Sequence, residues 1–132
     1  MPLVRINLSA ASTPKLASTI SELVHQALME TFNVPPDDRF QVIHRHAEGD
    51  IVCAEEFLGI RHSARVVFVQ IVCAPGRTLD MKRALYARIA SQIEARTEIS
   101  ACDVIINLVE SARENWSFGN GIAQMAPSVT DR

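Results

Sequence analysis

The feature that most constrains this chain is a β-α-β pattern that occurs twice along it. An alternating apolar segment at 3–8 precedes an apolar helical face over 14–32 and a short apolar segment at 40–43. The same order returns at 66–72, 78–96 and 104–109, displaced by 63 to 65 residues at each element. So regular an offset predicts an internal duplication, with residues 44–63 as a loop that contains at most a short strand.

Capping residues define the ends of both predicted helices. Thr13 is a suitable N-cap, and Pro14 occupies the first helical position, where its missing N–H has no consequence. Asn33 can terminate this helix, and Pro35 prevents its continuation. Thr78 can cap the second helix in the same way. Both helices therefore have sequence-defined starts.

Two β-α-β units predict an α+β fold in which one four-stranded sheet carries two helices on one face. We expect a single domain over 1–132, with repeats at about 2–45 and 64–110 and a C-terminal segment at 111–132. A chain of this size buries roughly two-thirds of its surface, enough for a core without metal or disulfides. Because two helices cover only one face of the sheet, the other face predicts a homo-oligomer.

Charge and composition exclude several classes of partner. The chain has 13 Lys and Arg against 15 Asp and Glu, a net charge of -2, and no block of like charge. This argues against binding to nucleic acid or to an anionic membrane. No apolar stretch is long enough to cross a bilayer, and residues 1–5 do not resemble a signal peptide. Three cysteines without a C-x-x-C motif are typical of reduced thiols, so we expect a cytoplasmic protein.

The second residue, Pro2, is the first candidate for chemistry. Removal of Met1 before such a small residue would leave Pro2 with a free secondary amine. An ordinary α-amine titrates near pH 8, and burial lowers the pKa of an ammonium, so this amine could act as a general base near neutral pH. The alternative is an ordinary Met-Pro start, or a retained Met1 that blocks the amine.

Two further positions offer charged groups. Asp37-Asp38-Arg39 follows a proline pair and precedes a strand, where a carboxylate could orient water with Arg39 beside it; the alternative is a solvated turn with a local ion pair. Arg77 lies between a strand and a helix, where a guanidinium can hold a substrate carboxylate through two parallel hydrogen bonds. The alternative for Arg77 is an exposed position in the first helical turn.

The histidines are weaker candidates. His44 and His46 would share one face of a strand, but no convincing third metal ligand lies nearby, so surface histidines are favoured over a metal site. His25 sits among apolar helix positions and is expected to be a partly buried helix residue. The chain also contains no dinucleotide fingerprint, phosphate-binding loop, zinc-protease motif or nucleophile elbow.

Three segments, in order, resemble the tautomerase superfamily, and its malonate semialdehyde decarboxylase branch in particular. They are Met-Pro-Leu-Val-Arg-Ile at the start, Val34-Pro-Pro-Asp-Asp-Arg-Phe40 and Asn115-Trp-Ser-Phe-Gly-Asn-Gly121. The resemblance implies a fold like that of macrophage migration inhibitory factor, assembled as a trimer or hexamer, and of these we expect the trimer. It also implies a cofactor-free and metal-free site with Pro2 as general acid/base and Asp38 as the matching carboxylate.

The expected substrate is a small keto or unsaturated carboxylic acid, which the enzyme would tautomerise, hydrate or decarboxylate. The resemblance and the charge pattern together predict four substrate-binding residues: Arg77, Arg39, Trp116 and Phe118. One departure is that Ala74-Pro-Gly-Arg77 stands where the decarboxylase branch has an R-P-R arrangement, which leaves one arginine instead of two. The alternative function is a non-catalytic binding or assembly protein that keeps the same fold.

Overall fold

The computed structural model describes residues 1–128 and contains two helices and six strands. In chain order they are β1 (Leu3–Ser9), α1 (Pro14–Phe32), β2 (Phe40–His46), β3 (Glu56–Phe57), β4 (Ile60–Arg61), β5 (Val67–Cys73), α2 (Leu79–Arg96) and β6 (Val104–Glu110). The last four residues of the predicted C-terminal segment 111–132 lie outside the described residues.

Four long strands form one mixed sheet in the order β2-β1-β5-β6. β1 is parallel to β2, β5 is parallel to β6, and the two pairs meet through antiparallel β1 and β5. β5 and β6 begin 64 residues after β1 and β2, at 67 against 3 and at 104 against 40. The predicted duplication and α+β fold class are therefore confirmed.

Two details differ from the prediction. β2 is longer than predicted and reaches His46, and β3 and β4 form a separate two-stranded hairpin.

The predicted helix caps are present. The Thr13 hydroxyl oxygen accepts from the Leu16 amide at 3.0 Å, and that of Thr78 accepts from the Met81 amide at 3.2 Å. Asn33 ends α1 in the left-handed conformation, at φ 55°. Local sequence thus fixes where each helix begins and where the first one ends.

The core lies between the two helices and the inner face of the sheet. Alternation along β1 and β5 points every second side chain at the helices, and the helical period returns apolar side chains to meet them. Its largest fully buried members include Ile6, Leu8, Ile20, Leu28, Ile71, Leu85, Ile89 and Ile93.

The outer face of the sheet carries no helix, and polar side chains cross its middle. In register across its middle lie Val42, Arg5, Gln70 and Asn107. Gln70 donates to the Asn107 side-chain oxygen at 3.1 Å. Apolar residues lie beside these polar side chains, and on β2 both Phe40 and Val42 are more than two-fifths exposed. Within residues 1–128 no helix is long and apolar enough to cross a membrane.

Candidate active site

The candidate site lies at the sheet edge where β1 and β2 begin and β5 and β6 end. Strand register brings these four ends together, because Leu3 is opposite both Phe40 and Val72, and Cys73 is opposite Glu110. A cavity of about 200 Å³ opens at this edge. Its lining consists of Met1, Asn33, Val34, Pro35, Asp38, Ala74, Arg77, Arg113 and Met125.

An amine and a carboxylate meet in this cavity. The terminal ammonium of Met1 forms an ion pair with Asp38 Oδ2 in a partly buried setting. A turn positions the carboxylate, because the Asp38 amide donates to the Pro35 carbonyl at 3.1 Å. Pro2, next along the chain, is buried. The structure therefore brings the start of the chain and Asp38 together, as the sequence-based hypothesis requires.

A buried histidine supports the turn that carries Asp38. His25 lies on the inner side of α1, and its Nε2 is 2.9 Å from the Pro36 carbonyl oxygen. A carbonyl oxygen only accepts, so this ring nitrogen carries the proton and donates. His25 therefore acts as a structural anchor for the turn, and it is more deeply buried than the sequence predicted.

Arg77 enters the cavity from the loop between β5 and α2. A turn at Pro75-Gly76, with Gly76 at φ 118°, directs the chain there. The guanidinium lies 5.0 Å from the centre of the Phe32 ring, and its Nη1 donates to the Ala74 carbonyl at 3.2 Å. These contacts fix the orientation of the guanidinium, and the remaining N–H donors are available to an anion.

Arg113 is the functional candidate that sequence reasoning missed. It lies in a short 3₁₀ turn, Arg113–Asn115, directly after β6, and it lines the same cavity as Arg77. The available signal was positional, because each of these arginines follows the carboxyl end of one of two neighbouring parallel strands. With Met1, Arg77 and Arg113 the lining carries three cationic groups against the single carboxylate of Asp38.

A buried thiol, Cys73, lies at the end of β5 beside the site. Burial raises the pKa of this thiol, and the nearby charges of Arg77 and the chain terminus oppose that effect. The higher pKa keeps the thiol protonated. Cys73 therefore contributes packing to the hydrophobic core at the end of β5 and has little thiolate character.

The structure does not bring the other predicted substrate-binding residues to the cavity lining. The Arg39 guanidinium points back to α1 and donates to Glu22 at 2.7 Å and to the Ser21 hydroxyl at 2.9 Å. The aromatic pair forms a stack, with the Trp116 and Phe118 ring centres 5.0 Å apart. Phe118 also packs on Phe40 at 5.3 Å. These aromatic rings lie at the start of β2, outside the cavity lining.

The two β2 histidines share one face, as predicted. Their rings stack with centres 4.1 Å apart, and His46 Nε2 is 2.8 Å from the Asn7 side-chain oxygen. In the described part of the chain no group of three or more metal-ligating side chains is suitably placed to hold a metal ion. We therefore interpret these two histidines as surface residues of the sheet.

A four-stranded mixed sheet made of two β-α-β units, with two helices on one face, is the fold of tautomerase-like proteins. The chain belongs to the tautomerase family. A family model described as "Tautomerase enzyme" matches residues 38–119, and a second model with that description matches residues 2–61.

Several known proteins are similar over nearly the whole chain. A probable tautomerase of Bacillus subtilis, YusQ, is 34% identical over 95% of this chain and 98% of its own length. The solved structure of FG41 malonate semialdehyde decarboxylase inhibited by 3-bromopropiolate is 34% identical, with a TM-score of 0.86 over 92% of each chain. A second malonate semialdehyde decarboxylase is 31% identical, with a TM-score of 0.85 over 93% of this chain and 95% of its own. These matches confirm the predicted superfamily and branch.

Proposed function

We propose that this chain is a cofactor-free acid/base enzyme in which the amine of Pro2 moves a proton on a small keto or unsaturated carboxylic acid. The observation that carries the proposal is the ion pair between the chain's terminal amine and Asp38, inside a cavity that also holds guanidinium groups. The family membership supports a tautomerase-type activity.

Removal of Met1 completes the proposed site. The Met1 and Pro2 nitrogens are separated by two backbone atoms, so trimming moves the free amine by no more than about one residue step, ~3.8 Å. The new secondary amine then lies at the cavity, with Asp38 close by. In its neutral form this amine can accept a proton, and in its ammonium form it can donate one.

The proposed chemistry follows from these positions. Arg77 binds the substrate carboxylate through two parallel hydrogen bonds and orients the carbon beside the carbonyl. Pro2 removes a proton from that carbon. The electron pair of the C–H bond forms a C=C bond while the carbonyl π pair moves to oxygen, which gives an enolate. The Pro2 ammonium then returns the proton to the oxygen or to another carbon of the enolate system. Asp38 stabilises the ammonium or activates water. One similar protein is described as having decarboxylase and hydratase activities, and an acid/base pair beside a bound carboxylate can serve either reaction.

We propose a homotrimer as the assembled form. The outer sheet face lacks a helix, and its apolar edges gain from burial against another copy. A solved protein of the same fold, a fused 4-OT symmetric trimer, has a TM-score of 0.76 with 20% identity over 93% of this chain and 97% of its own. A cytoplasmic location stays a prediction from the sequence.

The test combines a substrate panel with a chemical probe. Protein whose Met1 is shown by mass to be absent is assayed with enolisable 2-keto acids, an unsaturated acid and malonate semialdehyde. In parallel it is treated with 3-bromopropiolate, and the modified residue is located by peptide mass spectrometry. Turnover of a panel member together with an adduct on Pro2 supports the proposal. As a matched control, Arg83→Gln alters an exposed arginine on α2 outside the cavity lining and leaves turnover unchanged.

Absence of turnover across the panel, with Pro2 unmodified by the probe, would favour the alternative. The fold would then serve as a non-catalytic binding or assembly protein.

A further inference from the structure

We infer that Arg113 binds substrate as a second guanidinium, so that the site selects acids carrying two oxygen functions. This inference rests on the proposed function. Arg77 holds the carboxylate common to all candidate substrates, and Arg113 holds the second carboxylate or the carbonyl oxygen.

The two arginines reach the cavity from equivalent places in the fold. Arg77 lies four residues beyond Cys73, the end of β5, and Arg113 lies three residues beyond Glu110, the end of β6. Cys73 and Glu110 are register partners on adjacent parallel strands, which are about 4.8 Å apart. Two guanidinium groups therefore approach one small cavity side by side.

The two guanidinium groups differ in what holds them. Arg77 is fixed by the Phe32 ring and the Ala74 carbonyl. Among residues 1–128 the side chain of Arg113 has no hydrogen-bond or ion-pair partner, whereas Arg39 and Arg88 are paired with carboxylates at 2.6 to 2.7 Å. An unpaired cation that lines a cavity is available to an anionic ligand.

The charge of the cavity indicates what that ligand carries. Asp38 is matched by the terminal amine, which leaves two guanidinium groups without a counter-charge. One carboxylate satisfies one of them, and a second oxygen function is needed for the other. A volume of about 200 Å³ corresponds to roughly seven water-sized groups at about 30 Å³ each. The charge and the size of the cavity therefore describe a small acid with a second carboxylate or carbonyl.

Arg113 also supplies what the Ala74-Pro-Gly-Arg77 segment lacks for decarboxylation. When a β-keto acid loses CO₂, the C–C bond breaks and its electron pair forms an enolate, whose oxygen becomes negative. A guanidinium at that oxygen stabilises the developing charge. The Pro2 ammonium then donates its proton to the carbon. In this arrangement the first repeat supplies the acid/base groups, and the loops after β5 and β6 supply the two cations.

The experiment measures binding of two simple probes, malonate and acetate, to Met1-trimmed protein by NMR titration. Arg113→Gln is expected to weaken malonate binding by at least about tenfold, because it removes a charge-assisted hydrogen bond to the second carboxylate. Acetate binding should change by less than about twofold on the same scale. Arg77→Gln should weaken both probes, and the exposed-arginine control Arg83→Gln should weaken neither.

Two outcomes overturn the inference. One is malonate binding that is unchanged in Arg113→Gln. The other is an equal loss for malonate and acetate, which would indicate a general field of positive charge and no specific contact. The proposed function is refuted by a different result, namely no turnover and no adduct on Pro2. That result can occur even if the preference for malonate over acetate depends on Arg113, so the two failures are distinguishable. Both variants replace surface-accessible side chains, and a circular dichroism spectrum like that of the parent confirms that each is folded.

Discussion

Retention of Met1 is the perturbation that tests the proposed mechanism most directly. In the structure the Met1 ammonium forms an ion pair with Asp38. The Pro2 nitrogen is part of a peptide bond, and such an amide nitrogen cannot accept a proton. Protein made in cells whose methionine aminopeptidase is inhibited would keep this arrangement. The same preparation, trimmed afterwards with purified aminopeptidase, is a matched control because only one residue differs.

The expected size of the effect follows from the loss of the base. General acid/base catalysis typically contributes about 10²- to 10⁴-fold, or about 2.7 to 5.5 kcal/mol of transition-state stabilisation at ~1.36 kcal/mol per tenfold. We expect kcat/KM of the Met1-retained form to fall by this factor. The pair with Asp38 adds a second expectation. In trimmed protein Asp38→Asn should lower kcat/KM by about 10- to 100-fold, as loss of a charged hydrogen bond does.

In Met1-retained protein the same Asp38→Asn change should lower kcat/KM by less than about threefold, because the amine that Asp38 serves is already blocked. The assay compares kcat/KM for the best panel substrate across the four forms, with the N-terminal mass verified for each. With a substrate from which the amine must remove a proton, activity of trimmed protein should also decline at acidic pH, where the amine is protonated. Full activity with Met1 demonstrably in place would refute the reasoning.

Four further expectations test other parts of the molecule. Arg77→Ala should raise KM for acidic substrates by about tenfold or more, and Arg77→Lys should restore only part of the loss, since an ammonium lacks the planar fork; an unchanged KM would contradict the carboxylate role. The chain should sediment at three times 14.6 kDa, and a monomer at micromolar concentration would contradict the assembly. Ile89→Ala should lower the free energy of unfolding by about 2 to 5 kcal/mol in denaturant titration, since Ile89 is fully buried; a loss below 1 kcal/mol would contradict its core position. Burial raises the pKa of the Cys73 thiol, so less of it is present as thiolate at a given pH. A thiol reagent at neutral pH should therefore label the exposed Cys102 before Cys73. Equal labelling rates for these two cysteines would contradict the raised pKa.

Sequence periodicity predicted the fold well because burial and capping are local signals. Alternation in β1 and β5 and the apolar helical faces reflect one buried side of each element. The prediction was weaker for the edge strand β2. Most of its side chains are exposed, so apolar and polar residues do not alternate clearly along it. The two-residue strands β3 and β4 are too short to carry any period.

The candidate site was only partly predictable, because side-chain direction depends on tertiary contacts. Asp38 and Arg77 line the cavity as expected. Arg39 does not, since Glu22 and Ser21 on α1 hold it instead. Arg113 belongs to a turn whose placement follows from how β6 pairs with β5, and no local pattern encodes that pairing. The positions of charged residues in the sequence therefore identify candidate chemical groups, but the tertiary fold determines which of these groups lie in the same cavity.

The chain contains two β-α-β units but only one terminal α-amine. Val66, directly before β5, is the counterpart of Pro2 64 residues later, and it is buried within the continuous chain with peptide bonds on both sides. Joining two units into one polypeptide thus leaves a single terminal nitrogen for two equivalent sheet edges. The second edge holds a larger cavity, about 1050 Å³, whose lining includes Lys15, Arg65 and Arg96. On the proposed mechanism only the first edge requires a chain end, and the second edge carries no such requirement.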